Sequence, residues 1–349
     1  MISFRINNVP VLFIRGFTAA DVKSIVNFVR DVDASNATRG DSVLFIDTPE
    51  TVRTVEAVQM LREEGYRVVF RDHHEIEGEP CTESDRRSIV STARLRQLLG
   101  DDCLITGRSL HPACSTLVDV GEFKDAIAII ADPDADGLTA AMKAAGISYP
   151  GLDEDAAKLD GEPSLQVTGT AISSLLAKGI ASLPSYDPAS PGERQRAQEQ
   201  LFIAWVAAVQ GDEKAMAQLQ AGVAIYDAAV AVSEQLALTA CNVAPGVVLV
   251  DATDSPLFDV GTLTSRLEQL PGCRITVVRR SNGPIAALHR VQYSLAVAKQ
   301  YQGQINMKHL LPSHFKSDPR EGVITNVSFL LHVSQEKWDE YVLPALQKL

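Results

Sequence analysis

The feature that most constrains this chain is a series of apolar runs that each end in acidic or histidine residues. "SVLFIDT" closes on Asp47, "YRVVFRDHH" on Asp72, His73 and His74, and "DAIAIIADPDADG" on Asp132. Stretches of helical character lie between them. "ADVKSIVNFVRDV" carries Val22, Ile25, Val26 and Val29 on one face; "ETVRTVEAVQMLREEG", ending at Gly65, and "TARLRQLLG" follow. Continuous apolar strands separated by helices of this length predict parallel βαβ units, with helices on both faces of one sheet. Ligands of such sheets bind at the C-terminal ends of the strands, where each of the three clusters falls. The fold class expected is α/β.

Beyond this region, residues 166–240 read as Ala-rich helices interrupted by "SLPSYDPASPGER", a three-proline turn or loop. Strand-like runs return from "GVVLVDAT" through "CRITVVRRS", "AALHRVQYS" and "GVITNVSFLLHV", and a helix, "EKWDEYVLPALQKL", ends the chain. The organisation expected is a domain over 1–165, a helical connector over 166–245 and a smaller α/β domain over 246–349. A length of 349 residues accommodates two domains.

No apolar run approaches the ~20 residues of a membrane span, and the first residues lack the pattern of a signal peptide. Five scattered cysteines without a CxxC pair point to reduced thiols in a cytoplasm rather than a disulfide framework. A net charge of −12 argues against extensive wrapping of a polyanion but leaves room for a small nucleotide held by cations.

Carboxylates with neutral imidazoles suit Mn²⁺, Zn²⁺ or Fe²⁺. Asp47, His73 and Asp132, on three strand ends, could converge on one cation. Each has a bland alternative: Asp47 could cap the helix near "PETVRT", and the His-His pair could be a solvated turn. "DPDADG" has the alternating acids of a calcium loop, but Lys143 stands where that loop needs its closing Glu. In "LHPACSTLVD", His111 and Cys114 could suggest a thiol nucleophile; Ser115 or Thr116 capping a helix is the preferred reading.

"VLFIDT", "VVFRDHH" and "AIIADPDADGLT", in that order, resemble the DHH phosphoesterase superfamily, which includes RecJ-type exonucleases, nanoRNA and cyclic-dinucleotide phosphodiesterases, pyrophosphatases and exopolyphosphatases. The resemblance implies hydrolysis of phosphodiester or phosphoanhydride bonds with two Mn²⁺ (or Mg²⁺) ions. It also implies a DHH domain with flanking helices, followed by a smaller associated domain. By this likeness Asp47 bridges the metals, His73 and Asp132 are ligands, His74 lies beside the phosphate, and Asp72 orients the imidazoles. The family's first motif, His-x-x-x-Asp-x-Asp, corresponds to "RGFTAAD", where Arg15 and Ala19 replace the His and the first Asp and only Asp21 remains. "DPDADGLTAAM" itself looks like a RecJ-type first motif displaced to a later strand. Either Asp134 and Asp136 supply the lost ligands, or the centre holds one metal or none. In the C-terminal region "VVRRSNG" offers Arg279, Arg280 and Ser281 for the substrate phosphate. "LPSHFKSD", with His314, stands where the family has a Gly-Gly-His loop.

The function expected is a metal-dependent phosphodiesterase acting on short oligonucleotides or dinucleotides. Low aromatic content (6%) offers few platforms for stacking a long single strand. The alternatives are a polyphosphate or pyrophosphate hydrolase, and a non-catalytic nucleotide-binding descendant. A homodimer is in keeping with the resemblance.

Overall fold

The computed structural model describes residues 1–14, 18–35, 40, 42–80, 83–161, 171–183, 192–255, 257–281, 291–310, 322–324 and 328–349. The proline-rich stretch 184–191, Arg15 and His314 lie outside the described residues. The chain divides into two compact units, one of residues 1–163, 167–180 and 195–220, the other of 164–166, 181–194 and 221–349. The stretch read as a connector is thus shared between them.

The first unit is built on strands β1 (Ile2–Ile6), β2 (Val9–Phe13), β3 (Ser42–Ile46), β4 (Arg67–Asp72), β5 (Cys103–Ile105) and β6 (Ala128–Ala131). Their order across the sheet is β1-β2-β6-β3-β4-β5. Every pairing is parallel except β1 with β2. That first pair is a hairpin the sequence reading did not separate. Asn7 and Asn8 turn it with φ of 47° and 69°, the paired positive values a two-residue primed turn requires.

The inner strands β2, β3 and β6 are almost wholly apolar because both faces of the sheet are covered there. Leu44 and Ile46 pack on one side with Phe13, Ile129, Phe202 and Trp205, while Val43 and Phe45 pack on the other with Ile25, Val58, Phe70 and Leu95. Helices α1 (Ala19–Ala34), α2 (Val52–Glu63) and α3 (Glu83–Leu99) supply the second side. Helices α4 (Ala135–Ala144), α5 (Leu152–Gly161), α6 (Ala171–Ala181) and α7 (Glu193–Val209) contribute to the first. Strand β6, last in chain order, enters between β2 and β3: Ile129 stands opposite Val11 on one side and Leu44 on the other.

In the second unit β7 (Cys241–Ala244), β8 (Val247–Asp251), β9 (Ile275–Ser281), β10 (Val291–Val297), β11 (Gly322–Ile324) and β12 (Ser328–Val333) form a sheet of order β11-β12-β10-β9-β8-β7. Only β8 and β9 are parallel among its described pairings. Helix α9 (Val260–Glu268) places Leu263 and Leu267 in one cluster, and Tyr293 stacks on Trp338 at 3.9 Å in another.

Helix α8 (Glu213–Ala237) is by length and composition sufficient to cross a membrane. Leu219, Tyr226 and Ala229 on it are nonetheless buried within the fold.

Candidate metal centre

The C-terminal edge of the first sheet is stitched together by backbone bonds that bring the three clusters into register. The Asp47 N–H donates to the Arg71 carbonyl at 3.0 Å, and the Asp47 carbonyl accepts from the Asp132 N–H at 3.2 Å. Asp47 sits at φ 50°, in the left-handed region that aspartate tolerates better than most residues. It does not cap α2: Thr51 does, in a reciprocal pair with Thr54. Instead the Asp47 side chain is 2% exposed, and both of its carboxylate oxygens lack a hydrogen-bond partner among the described residues.

Asp72, fully buried at the end of β4, uses Oδ1 to accept from the His73 N–H at 2.8 Å and from His74 Nδ1 at 2.7 Å. His73 is also fully buried. Its Nδ1 faces the His111 carbonyl at 2.9 Å, and since a carbonyl can only accept, Nδ1 carries the proton. Nε2 is left as the lone-pair atom. It stands 3.2 Å from Asp136 Oδ2, 3.6 Å from Asp47 Oδ1 and 3.9 Å from Asp160 Oδ2. His74 stacks edge-on against His73 and is partly open to solvent; its Nε2 accepts from Arg108 at 2.7 Å, and Arg108 also pairs with Asp160 at 3.1 Å.

Burial and the neighbouring charges of Asp134, Asp136, Asp72 and Asp132 push the Asp47 carboxyl well above the usual range. Burial also raises Asp136, although His73 and the Cys114 N–H oppose it. For His73, burial disfavours the charge but Asp136 outweighs it, so its pKa is raised. Glu50, buried beside the Asp72 charge, is pushed up to about 8. Crowded acids with unpartnered oxygens around a lone-pair imidazole nitrogen are an environment a divalent cation would neutralise.

The donor set fits that conclusion. Asp47, His73, Cys114 and Asp136 each offer one ligand atom within 4.8 Å of the others; so do Asp47, Asp72, His73 and His74. Asp47 and His73 belong to both groups. "DPDADG" reaches them through the first turn of α4. Asp134 caps that helix by accepting from the Gly137 N–H at 2.9 Å, and Asp136 turns inward to His73. Asp132 and Asp134 line a cavity of about 550 Å³ together with Asp47, Glu50, His74 and Arg87.

Of the other residues expected at the site, Asp21 is half-buried at the start of α1, where its carboxylate accepts from the Thr18 N–H at 2.6 Å in a capping box; it does not join the cluster. In the second unit Arg279 pairs with Asp251. Arg280 follows it on β9, so the two side chains leave opposite faces of the sheet. Arg280 is held below the usual arginine range by burial, and Ser281 at the strand end is exposed.

Cys114, Asp160, Arg108 and Glu50 were not among the expected ligands. The helix start read at "LHPACSTLVD" is a 3-10 turn, Cys114–Leu117, with no side-chain cap. The Thr116 hydroxyl donates to the Ala113 carbonyl, and the Cys114 N–H donates to Asp136 at 2.9 Å. Burial raises the Cys114 thiol pKa well above its usual value, which counts against a free thiolate nucleophile.

No family model matches the chain, and no curated protein matches it. Among solved structures, a Vibrio pGpG-specific phosphodiesterase is similar, with a TM-score of 0.46 at 11% identity over 88% of this chain and 98% of that one. So is the DHH domain of a member of the S1p family of ribosomal proteins, with a TM-score of 0.46 at 12% identity over 95% of this chain and 74% of that one.

Proposed function

We propose that the chain is a divalent-cation-dependent phosphoesterase of the DHH kind, hydrolysing phosphodiester bonds of short oligonucleotides or dinucleotides. The observation that carries this reading is the meeting of Asp47, His73 and Asp136 at three strand or helix ends, with the Asp47 oxygens unpartnered and buried and His73 Nε2 facing both carboxylates. Asp47, with two free oxygens, would serve two cation positions; His73 and Asp136 would share one of them, and Asp132 and Asp134 stand at the cavity side. Mn²⁺ or Mg²⁺, when bound, would acidify a water and neutralise charge on the phosphoryl group.

The remaining roles fall to the chain's own groups. Asp72 fixes the backbone of His73 and the ring of His74. His74, with Arg108 on its far nitrogen, presents a hydrogen-bonding and cationic edge where the phosphate would lie. In the second unit Arg279, paired with Asp251, is proposed as a phosphate contact by itself, since Arg280 leaves the opposite face of β9.

The test is product release from pApA, cyclic dinucleotides, 5′-labelled oligomers and polyphosphate, with and without Mn²⁺. Mn²⁺-dependent cleavage of the short nucleotides, abolished in His73→Ala, is the expected result. Cleavage of polyphosphate alone would reassign the substrate. Tight nucleotide binding without turnover would make the chain a binding protein.

A further inference from the structure

We propose that Cys114 is a cation ligand, and that the position formed by Asp47, His73, Cys114 and Asp136 takes Zn²⁺ in preference to Mn²⁺ or Mg²⁺. The proposal rests on the metal-centre reading above and deepens it. Cys114 is fully buried, at the first residue of the 3-10 turn that follows Ala113. Its Sγ contacts the Arg71 carbonyl at 3.6 Å and Asp72 Oδ1 at 3.8 Å, so it faces the strand end that carries the Asp-His-His triplet. Its own N–H holds the Asp136 carboxylate, and Asp136 in turn stands 3.2 Å from His73 Nε2. One residue therefore supplies a sulfur donor and also aims a second ligand.

The independent sign of a ligand here is the set of buried polar atoms with nothing to bind. Both Asp47 carboxylate oxygens lack hydrogen-bond partners among the described residues, and Asp47 is 2% exposed. Four donors of sulfur, nitrogen and oxygen type within 4.8 Å of one another have the number and chemistry of ligands that Zn²⁺ takes. Mn²⁺ and Mg²⁺ favour oxygen-rich sites of higher coordination, and a thiolate selects against them. The overlapping group Asp47, Asp72, His73 and His74 has no sulfur, so the two positions differ in softness. Ligation requires that the Cys114 thiol proton leave to solvent as the sulfur–cation bond forms.

Co²⁺ is the probe, because a cobalt–thiolate bond gives a sulfur-to-metal charge-transfer absorption in the near ultraviolet. The full chain, stripped with a chelator, is titrated with Co²⁺ and then with competing Zn²⁺ or Mn²⁺. The expected result is a charge-transfer band at saturation that Zn²⁺ erases and excess Mn²⁺ does not. Cys114→Ser should lose the band and bind Zn²⁺ about tenfold or more weakly, while its Mn²⁺ affinity changes little. Co²⁺ binding without the band in the wild-type chain would overturn the proposal and leave the metal centre standing. That spectrum needs no variant to fold. A band that persists in Cys114→Ser would also overturn it, by assigning the sulfur elsewhere. Failure of every cation to bind would remove the metal-centre reading and this proposal together.

Discussion

His73 donates its Nδ1 proton to the His111 carbonyl at 2.9 Å, and this bond leaves Nε2 facing the carboxylates of Asp136 and Asp47. A ligating imidazole needs its other nitrogen held in this way, because the partner fixes both tautomer and ring orientation. The His73–His111 pair therefore links a strand end to a connecting segment 38 residues later and prepares the lone pair for a cation.

Cation binding should stabilise the fold, since the unfolded chain has no such cluster. At a hundredfold excess over Kd, Mn²⁺ or Zn²⁺ should add about 2.7 kcal/mol, seen as a higher melting temperature that a chelator reverses. His73→Ala should melt at one temperature with or without the cation.

Asp72 holds the His73 backbone and the His74 imidazole through one oxygen. Asp72→Ala should weaken cation affinity by about 10–100-fold, measured by calorimetric titration. An unchanged affinity would leave Asp72 without its orienting role.

Gly137 has no room for a side chain: a Cβ there would stand 2.3 Å from the Asp132 carbonyl oxygen. The oxygen belongs to the backbone and can yield only if the loop shifts. Gly137→Ala should therefore cost about 1–3 kcal/mol in chemical denaturation and weaken cation binding, because the same loop sets Asp132, Asp134 and Asp136.

Glu50 gives the cation-free protein a distinct pH dependence. Its pKa rises from an ordinary 4.5 to about 8 in the fold, mainly through burial and then the Asp72 charge. Between these values the folded state holds a proton that the unfolded state has released. Stability should thus fall as pH rises from 4.5 to about 8, by at most about 1.4 kcal/mol per pH unit from this group, and level off above. Glu50→Gln should flatten that slope in denaturation curves collected across the window.

Asp21, in the first turn of α1, is expected to act only as a capping-box residue. Asp21→Ala removes the acceptor of the Thr18 N–H and should cost less than about 1 kcal/mol, with cation affinity unchanged. A large loss of affinity would bring Asp21 into the centre.

Much of the first sheet was legible because its chemistry is local. Val43, Leu44, Phe45 and Ile46 are all apolar and pack alternately on opposite faces, the pattern of a strand covered on both sides. The hairpin at Asn7 and Asn8 has a local signal of its own, two adjacent asparagines between apolar runs. Asp160 left none: it is one of several acids on α5, and only the helix's position brings it to 3.9 Å from His73.

The sequence by itself determined that apolar parallel strands would carry Asp47, the Asp72-His73-His74 triplet and Asp132 to one edge, because alternation and strand direction follow from local pattern. Only the tertiary structure decided that β6 enters between β2 and β3, which seats Asp136 against His73, and that the Cys114 turn closes over the same point. Strand order and the path of a connecting loop are set by which surfaces pack together across the whole sheet, and no local periodicity records that choice.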